Sequence, residues 1–377
     1  MLPRVKIQYM NGQLGTVGVS PDGLFALACV AAAVADTFAL GKAYTLRSVA
    51  DLAALGVTVE NNAVLHKHVT DFYNEAENGT ELVVWGMADG VELTDALNKD
   101  TGTVRQLLAS EKGKLRGVFV CGDPADDVVA AMPVAQSLAE WSTADMYAPI
   151  FVVLEGAVTD EQKDLTEEDY NRVAVLVGDT TAGGGACMGT MAGRLASIPV
   201  HRNIGRVKDG ALYPTEMYIG DKEVAGAMST VEDLDAKGYI APRSYVGRSG
   251  YYFSDDNMAC AKTDDYAHLS TRRVIDKAYR IAYDTLLDVL LDEIEVNNDG
   301  TMQVPVVKAW QQMVENAINS QMTAAGELSA EDGSGCVCYI DEKQNVVSTS
   351  TINVTLKVRP YATARYVEVK LGFDVKR

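Results

Sequence analysis

The sequence predicts an α/β fold: a core with a mostly parallel sheet and flanking helices, followed by an α+β C-terminal domain with terminal strand arms. From about residue 24 to 200, short apolar runs alternate with amphipathic helical patterns, which is typical of buried parallel strands joined by helices. At both ends of the chain, apolar and polar residues alternate with a period of two, which is typical of strands with one exposed face. The 377 residues, 47% of them hydrophobic, suffice for two or three domains.

Residues 1–12 are predicted to form an N-terminal arm strand. Its alternating apolar side chains are Val5, Ile7 and Tyr9. A glycine-rich stretch follows and suits a hinge. Because a lone terminal strand cannot satisfy its own main-chain groups, we expect it to pair with another chain or with a distant part of its own.

Residues 13–258 are predicted to form the α/β core domain. The apolar stretch 24–40 is interpreted as a buried strand or helix. Four further runs predict buried strands, at 82–85, 117–121, 149–154 and 173–177. Helical patterns lie between them, at 63–77, 104–111 and 125–141. Pro133 lies inside the third pattern and is expected to kink or divide that helix.

Residues 259–345 are predicted to begin the C-terminal domain, with a long amphipathic helix that starts after Asp264-Asp265 and ends at the turn cluster 297–300. A second helix is predicted over 306–322. Residues 346–377 are predicted to hold a strand over 352–358 and, after Pro360, an arm strand over 366–375. The apolar face of this arm consists of Val367, Val369, Leu371, Phe373 and Val375. The N-terminal strand is expected to belong with this second domain.

The charge balance excludes two classes of partner. With 33 basic and 52 acidic residues, the net charge is -19, which repels nucleic acid and anionic membranes but is compatible with a basic protein. No segment is predicted to insert stably in a membrane, and the N-terminus lacks the apolar region of a signal peptide. The six cysteines show no disulfide framework, so a reduced, cytosolic chain is expected.

The glycine cluster 178–189 carries the main alternative, a cytosolic α/β enzyme that binds a phosphorylated ligand through Gly183–Gly185. The cluster follows a predicted strand, as a phosphate loop would, but it lacks the Lys-Ser/Thr pair of a P-loop and the G-x-G-x-x-G spacing of a dinucleotide fold. A loop that enters an Ala/Gly-rich helix is the favoured interpretation.

No catalytic, cofactor-binding or metal-binding residue is predicted. Cys336 and Cys338, which would share one face if they lay on a strand, are interpreted as two small buried residues, and His66 and His68 lie on different faces of one helix. Adjacent carboxylates occur at 126–127, 255–256 and 264–265. Such pairs are most often solvated turns or helix N-termini, where negative charge meets the helix dipole favourably.

The long helix carries an unusual acidic stripe. Asp284, Asp288 and Asp292 follow one another at a spacing of four residues toward the predicted C-terminal end of the helix. Like charges at this spacing and at this end are both unfavourable. The stripe is either a solvated face or a surface that faces a basic partner.

Three stretches and the C-terminus resemble the contractile tail sheath family, the sheaths of contractile phage tails and of phage-tail-like injection machines. The stretches are 191–212 (MAGRLASIPVHRNIGRVKDGAL), 238–259 (GYIAPRSYVGRSGYYFSDDNMA) and 266–287 (YAHLSTRRVIDKAYRIAYDTLL). Arg272-Arg273 is similar to the family's arginine pair at the start of a long helix. The ending 352–375 is similar to the family's final strand, proline, strand pattern, and the likeness covers mainly residues 190–377.

The resemblance implies a structural protein and not an enzyme. It implies a helical homo-oligomer, with six-fold rings, that polymerises around an inner tube protein on a baseplate and contracts to drive the tube through a target envelope. It implies terminal arms that add strands to neighbouring subunits, assembly in the cytoplasm, and a place in a phage tail or injection apparatus. A tube protein is disfavoured because tube subunits are usually far shorter and mostly β. Two charged surfaces are candidates for the tube contact: the acidic stripe, and a basic group formed by Arg194, Arg202, Arg206 and Lys208.

Overall fold

The computed structural model describes residues 21–122, 127–159 and 161–371. The chain divides into two compact units, of which the first ends at Arg272 and the second begins at Arg273. The predicted N-terminal strand, with Val5, Ile7 and Tyr9, lies outside the described residues. Among the described residues, no helix combines the length and the apolar composition that a bilayer crossing requires.

A six-stranded sheet forms the centre of the first unit. Its strands are β1 (Phe25–Val30), β2 (Ala43–Leu46), β3 (Leu82–Met87), β4 (Gly117–Cys121), β5 (Phe151–Glu155) and β7 (Val173–Leu176). They lie in the order β2-β3-β1-β4-β5-β7, and every neighbouring pair is parallel except β2 with β3. The predicted mostly parallel sheet is therefore confirmed.

The sheet strands are buried because they consist almost wholly of apolar residues. Every residue of β3, β4, β5 and β7 is buried. Such strands need cover on both faces, which is why helices separate them along the chain. The structure also resolves the stretch 24–40 as a strand, β1, followed by a turn.

Helices supply this cover. Those of the first unit are α1 (Val49–Ala54), α2 (Ala63–Glu75), α3 (Leu93–Ala96), α4 (Thr103–Glu111), α5 (Val128–Asp145), α6 (Met188–Ser197) and α7 (Met228–Ala236). Helices α2 and α6 pack against each other and against β1, and α5 packs against β5 and β7. The buried side chains of α2 include Leu65, Val69 and Phe72, which recur at helical spacing.

Short elements complete the first unit. They are the strands β6 (Asp169–Tyr170), β8 (Tyr218–Ile219), β9 (Lys222–Glu223), β10 (Pro242–Arg243), β11 (Tyr252–Phe253) and β12 (Ala259–Cys260), and 3-10 turns at Pro21–Gly23, Leu165–Glu167, Val207–Asp209 and Val224–Gly226. They pair as β6 with β12, β8 with β9, and β10 with β11.

Pro133 does not divide its helix. Helix α5 runs without a break from Val128 to Asp145 with Pro133 inside it. Its buried residues include Ala131, Met132 and Ala135, on both sides of the proline. Tertiary packing of this face offsets the hydrogen bond that the proline removes.

The second unit is an α+β arrangement with its own small core. Its elements are most of α8 (Leu269–Leu287), then α9 (Val304–Ile318), a π turn (Asn319–Thr323), β13 (Cys336–Ile340), α10 (Val346–Thr349) and β14 (Val354–Val358). Met302, Val307 and Ile340 form the core, and Trp310 and Val354 pack against it. The predicted strand over 352–358 is confirmed as β14.

Candidate functional site

The hairpin of β13 and β14 is an antiparallel two-stranded sheet in which Cys338 lies opposite Leu356. Cys336 and Cys338 are buried, as predicted, while Val337 and Tyr339 on the other face are exposed. Two strands alone make a sheet of marginal stability. The hairpin is therefore a sheet with two edges that need cover or a further strand.

The edge of β13 is covered by helix α9. The Cys338 N–H donates to Oε1 of Glu315 at 2.8 Å, so the main chain of Cys338 points away from β14 and toward α9. The Cys336 thiol also contacts the carbonyl oxygen of Glu315. A strand added along β13 would have to displace the Glu315 side chain.

The edge of β14 is open. Hydrogen-bonded and non-hydrogen-bonded pairs alternate along an antiparallel hairpin, so Leu356, opposite Cys338, also points its main-chain groups outward. Val354 and Val358 lie two residues from Leu356 on either side, so their main-chain groups also point outward. In agreement with this alternation, the N–H of the next residue, Arg359, points inward and donates to the Gly335 carbonyl. Within the described part of the chain, the outward groups of these three residues have no hydrogen-bond partner. An open edge of this kind is a template for another strand.

The predicted arm strand over 366–375 is not formed within the single chain as far as it is described. Residues 361–371 adopt no helix or strand and are exposed. Val367, Val369 and Leu371 are 78%, 77% and 96% exposed, so the alternating apolar face is uncovered. Phe373 and Val375 lie outside the described residues, and the intersubunit role of the arm stays a prediction.

The acidic stripe is not a helical ladder, which corrects the predicted length of α8. The helix ends at Leu287, and Asp288 and Asp292 follow it in a turn held by i to i-3 bonds such as that from the Asp292 N–H to the Val289 carbonyl. Repulsion between carboxylates at the negative end of the helix dipole opposes further helix, which accounts for this early end. Asp284, Asp288 and Asp292 are all exposed.

The basic group is only partly engaged in ion pairs within the first unit. Arg194 is buried, lies 3.2 Å from Glu75 and donates to the carbonyl oxygen of Ala211. Arg202 and Arg206 both contact Oδ1 of Asp209. Arg202 and Arg206 share this one carboxylate, and Arg206 and Lys208 are exposed, so only Arg194 is withdrawn from the basic group as a candidate for the tube contact.

The glycine cluster allows two helices to pack closely. A side chain on Gly189 would overlap the carbonyl oxygen of His68, so only glycine lets α6 approach α2 at this point. The buried carboxylate of Asp179 lies against Gly184 and pairs with Lys67 at 2.5 Å. A carboxylate inside the loop opposes phosphate binding, and no finding supports the enzyme alternative.

Two of the three adjacent carboxylate pairs serve helix N-termini, as predicted. Asp127 accepts a hydrogen bond from the Ala130 N–H at the start of α5. Asp256 is buried and accepts from the Ser270 N–H in the first turn of α8 at 2.8 Å. Asp264 accepts from the Tyr266 N–H in a turn.

Sequence reasoning missed β13 and the cover that Glu315 gives it. In β13, buried and exposed residues alternate, but the exposed residues Val337 and Tyr339 are apolar as well. The sequence therefore shows no alternation of apolar and polar residues that would predict a strand. The contact of Glu315 with Cys338 joins residues far apart in the chain and leaves no local pattern.

Two family models match the chain almost from end to end. The model of the DUF2586 N-terminal domain matches residues 2–257, and that of the DUF2586 C-terminal domain matches residues 265–377. No curated protein matches the chain.

Three solved structures share the fold. The sheath complex of PVC, an extracellular contractile injection system, in its contracted state, is 14% identical with a TM-score of 0.66, covering 100% of this chain and 98% of that one. A chain of the anti-feeding prophage baseplate is 14% identical with a TM-score of 0.63, covering 100% and 99%. The sheath tail protein of Desulfitobacterium hafniense is 9% identical with a TM-score of 0.52, covering 94% and 100%. The predicted resemblance to contractile sheath proteins is confirmed at the level of the fold.

Proposed function

The chain belongs to the DUF2586 family, and from this membership and its sheath-protein fold we propose that it is the structural subunit of a contractile sheath. The subunits polymerise helically, in six-fold rings, around an inner tube protein on a baseplate. Contraction then drives the tube through a target envelope. The similar structures are sheath and injection-system components, which supports a structural and non-enzymatic role.

The open edge of β14 is the observation that carries this proposal. One edge of the hairpin is covered by Glu315, while the outward main-chain groups of Val354, Leu356 and Val358 have no partner within the described residues. The same chain carries an exposed alternating segment that contains Val367, Val369 and Leu371. An open edge and an unpaired strand-forming segment on one subunit are complementary between two copies.

The arm is long enough to reach a neighbour. The eleven residues 361–371 span at most about 36–40 Å when extended, at roughly 3.3–3.6 Å per residue. A domain of the size of the second unit has a radius of gyration of about 13 Å. The fully extended arm is therefore comparable in length to the diameter of such a domain, so its far end can reach a neighbouring subunit.

Main-chain hydrogen bonds would provide the affinity of the intersubunit contact, and side chains would provide its specificity. A strand added along β14 would satisfy the outward groups of Val354, Leu356 and Val358 and would bury the apolar face of the arm. Both described strands of the receiving sheet belong to the second unit. The predicted N-terminal arm, with Val5, Ile7 and Tyr9, is proposed to make a second join of the same kind.

The substitution Leu356→Pro tests this edge directly. Proline removes the outward N–H of Leu356 without removing a hydrogen bond to β13, since Cys338 and Leu356 form a non-hydrogen-bonded pair. We expect a folded subunit that fails to polymerise, as measured by sedimentation together with circular dichroism.

Leu356→Ala is the matched control, because it shortens the same side chain and keeps the N–H. It should polymerise nearly as well as the unchanged protein. Polymers of normal length from the proline variant would exclude β14 as the receiving edge.

A further inference from the structure

A row of chemically reactive side chains crosses the carboxyl end of the central sheet. Cys29 of β1 lies directly opposite Cys121 of β4. Strands β4 and β5 are paired up to Val120 and Leu154, so the next position places Cys121 beside Glu155. Residues that lie side by side in a parallel sheet point to the same face.

Helix α2 closes this row with His68. One donor atom each from His68, Cys121 and Glu155 lies within 4.8 Å of the others, and all three residues are buried. Their exposed fractions are 2%, 1% and 6%. A nitrogen, a sulfur and a carboxylate oxygen therefore converge inside the first unit, in a place closed to bulk water.

Within the described part of the chain, two polar atoms of this cluster are buried without a hydrogen-bond partner, Nδ1 of His68 and Oε2 of Glu155. The other carboxylate oxygen, Oε1, accepts from the Ala186 N–H at 2.9 Å, which holds the Glu155 side chain in place. Buried polar groups in folded proteins are almost always satisfied, so two orphaned atoms in one cluster indicate a missing partner.

We propose that His68, Cys121 and Glu155 bind a divalent transition metal of the zinc class. Zinc takes sulfur, imidazole nitrogen and carboxylate oxygen as ligands, and a site with three protein ligands completes its tetrahedral shell with one bound water. Bonds of about 2.0–2.3 Å place the ligand atoms roughly 3.3–3.8 Å apart. Magnesium and calcium prefer sites made of oxygen, so the thiol and the imidazole select against them. This site is independent of the assembly surface.

The charges of the site balance when the metal is bound. The Cys121 thiol releases its proton to solvent on binding, and the resulting thiolate and the Glu155 carboxylate together neutralise the two positive charges of the ion. Without a metal, burial raises the pKa of the Cys121 thiol. Burial also raises the pKa of Glu155, although the nearby His68 opposes that rise.

Bound metal would tie α2 to the strands β4 and β5. Residues 68, 121 and 155 are far apart in the chain, so the site cannot be recognised from a spacing motif in the sequence. Because a site of this kind does not exist in the unfolded chain, its binding free energy would add to the stability of the first unit.

Metal content of the full-length protein tests the proposal. The protein is stripped with a chelator, reloaded with Zn²⁺ or Co²⁺, and dialysed. We expect one equivalent of zinc per chain by elemental analysis, and a sulfur-to-cobalt charge-transfer band with tetrahedral d–d bands for Co²⁺. Zinc should also raise the unfolding temperature.

The variant Cys121→Ser should bind zinc at least about tenfold more weakly and lose the charge-transfer band. Cys260→Ser is the matched control, a buried cysteine of the same unit outside the cluster, and it should bind as the unchanged protein does. If Cys121→Ser does not fold, the presence or absence of the sulfur-to-cobalt band in the unchanged protein decides whether Cys121 binds the metal. Absence of that band, no metal uptake, or equal binding by the two variants would overturn the proposal and leave a buried hydrogen-bonded cluster.

Discussion

Asp256 fixes the first turn of the long helix α8. Its carboxylate accepts from the Ser270 N–H at 2.8 Å and from the Asn203 side chain at 2.7 Å, and Nδ1 of His268 lies 3.3 Å away. Burial alone would raise the pKa of Asp256, but hydrogen bonds from His268 and its neighbours hold this pKa below the ordinary value. A buried carboxylate with this many donors favours its charged form.

The substitution Asp256→Asn should therefore lower stability in a pH-dependent way. The folded-state pKa is depressed, so the stabilisation is fully present above the unfolded-state pKa near 3.9 and is lost as the pH falls through the folded-state value. We expect a loss of about 1–3 kcal/mol at pH 7. Urea unfolding from pH 7 down to pH 3 measures it.

Asp255→Asn is the control, since Asp255 accepts from the same Asn203 side chain but is only partly buried. At neutral pH, Asp255→Asn should lower the free energy of unfolding by less than Asp256→Asn does. A difference between Asp256→Asn and the unchanged protein that stays constant from pH 7 to pH 3 would contradict the proposed role of the charge.

The roles of individual side chains could be predicted from the sequence only where their partners are close to them in the chain. The carboxylate pairs at 126–127 and 255–256 were expected in solvated turns or at helix N-termini, and Asp127 and Asp256 do lie at helix N-termini, although Asp256 is buried. The partners of Asp256 include Asn203, which is 53 residues away, and no sequence pattern encodes such a contact.

At the scale of elements, α8 shows how charge limits a helix. Its apolar positions continue the helical spacing beyond Leu287, and hydrophobic pattern alone predicted a longer helix. The structure ends the helix at Leu287 and leaves Leu290 and Leu291 67% and 97% exposed. The carboxylates of the stripe are thus presented from a helix end and a turn, where they remain available to a partner.

The double change Asp284→Asn with Asp288→Asn tests the stripe. Removing negative charge near the end of α8 should raise the stability of the isolated subunit by a few tenths of a kcal/mol. It should weaken sheath–tube or sheath–sheath assembly, more at low salt than at high salt, because screening is least at low salt. Sedimentation at two salt concentrations measures this effect.

Glu342→Gln is the matched control, an exposed carboxylate of the same unit that lies 3.6 Å from Lys308 and outside the stripe. If the double variant assembles as well as this control at every salt concentration, the stripe is only a solvated face.

The C-terminal arm has a prediction of its own. Removing residues 366–377 should leave a folded subunit that does not polymerise, because the described part of this segment is exposed and contributes nothing to the buried core. Circular dichroism and sedimentation together measure fold and assembly. Tubes from the truncated protein, or its collapse into insoluble material, would show that the segment is not an intersubunit arm.

The central strands were predictable because their apolar runs are continuous and bounded by turns. Strand β4, Gly117–Cys121, has the predicted limits, and the predicted run 173–177 differs from β7 by one residue. Strand β2, Ala43–Leu46, escaped prediction because a four-residue edge strand with one buried residue carries too little pattern. The order of strands in the sheet depends on long-range pairing, which no local signal contains.

At the scale of the whole molecule, the resemblance seen in residues 190–377 extends to the entire chain. The PVC sheath structure and the anti-feeding prophage baseplate structure each cover 100% of it at only 14% identity, so the fold is shared at low sequence identity. The proposed function assigns the joining of copies to the exposed C-terminal segment and the open edge of β14.

Negative-stain electron microscopy of the purified, unmodified protein tests this conclusion most directly. At rising protein concentration, subunits that pair arm to edge should form tubes or stacked rings of constant diameter, because each added subunit repeats the same join. Monomers or small discrete oligomers at every concentration, with or without an inner tube protein present, would contradict the assignment as a sheath subunit.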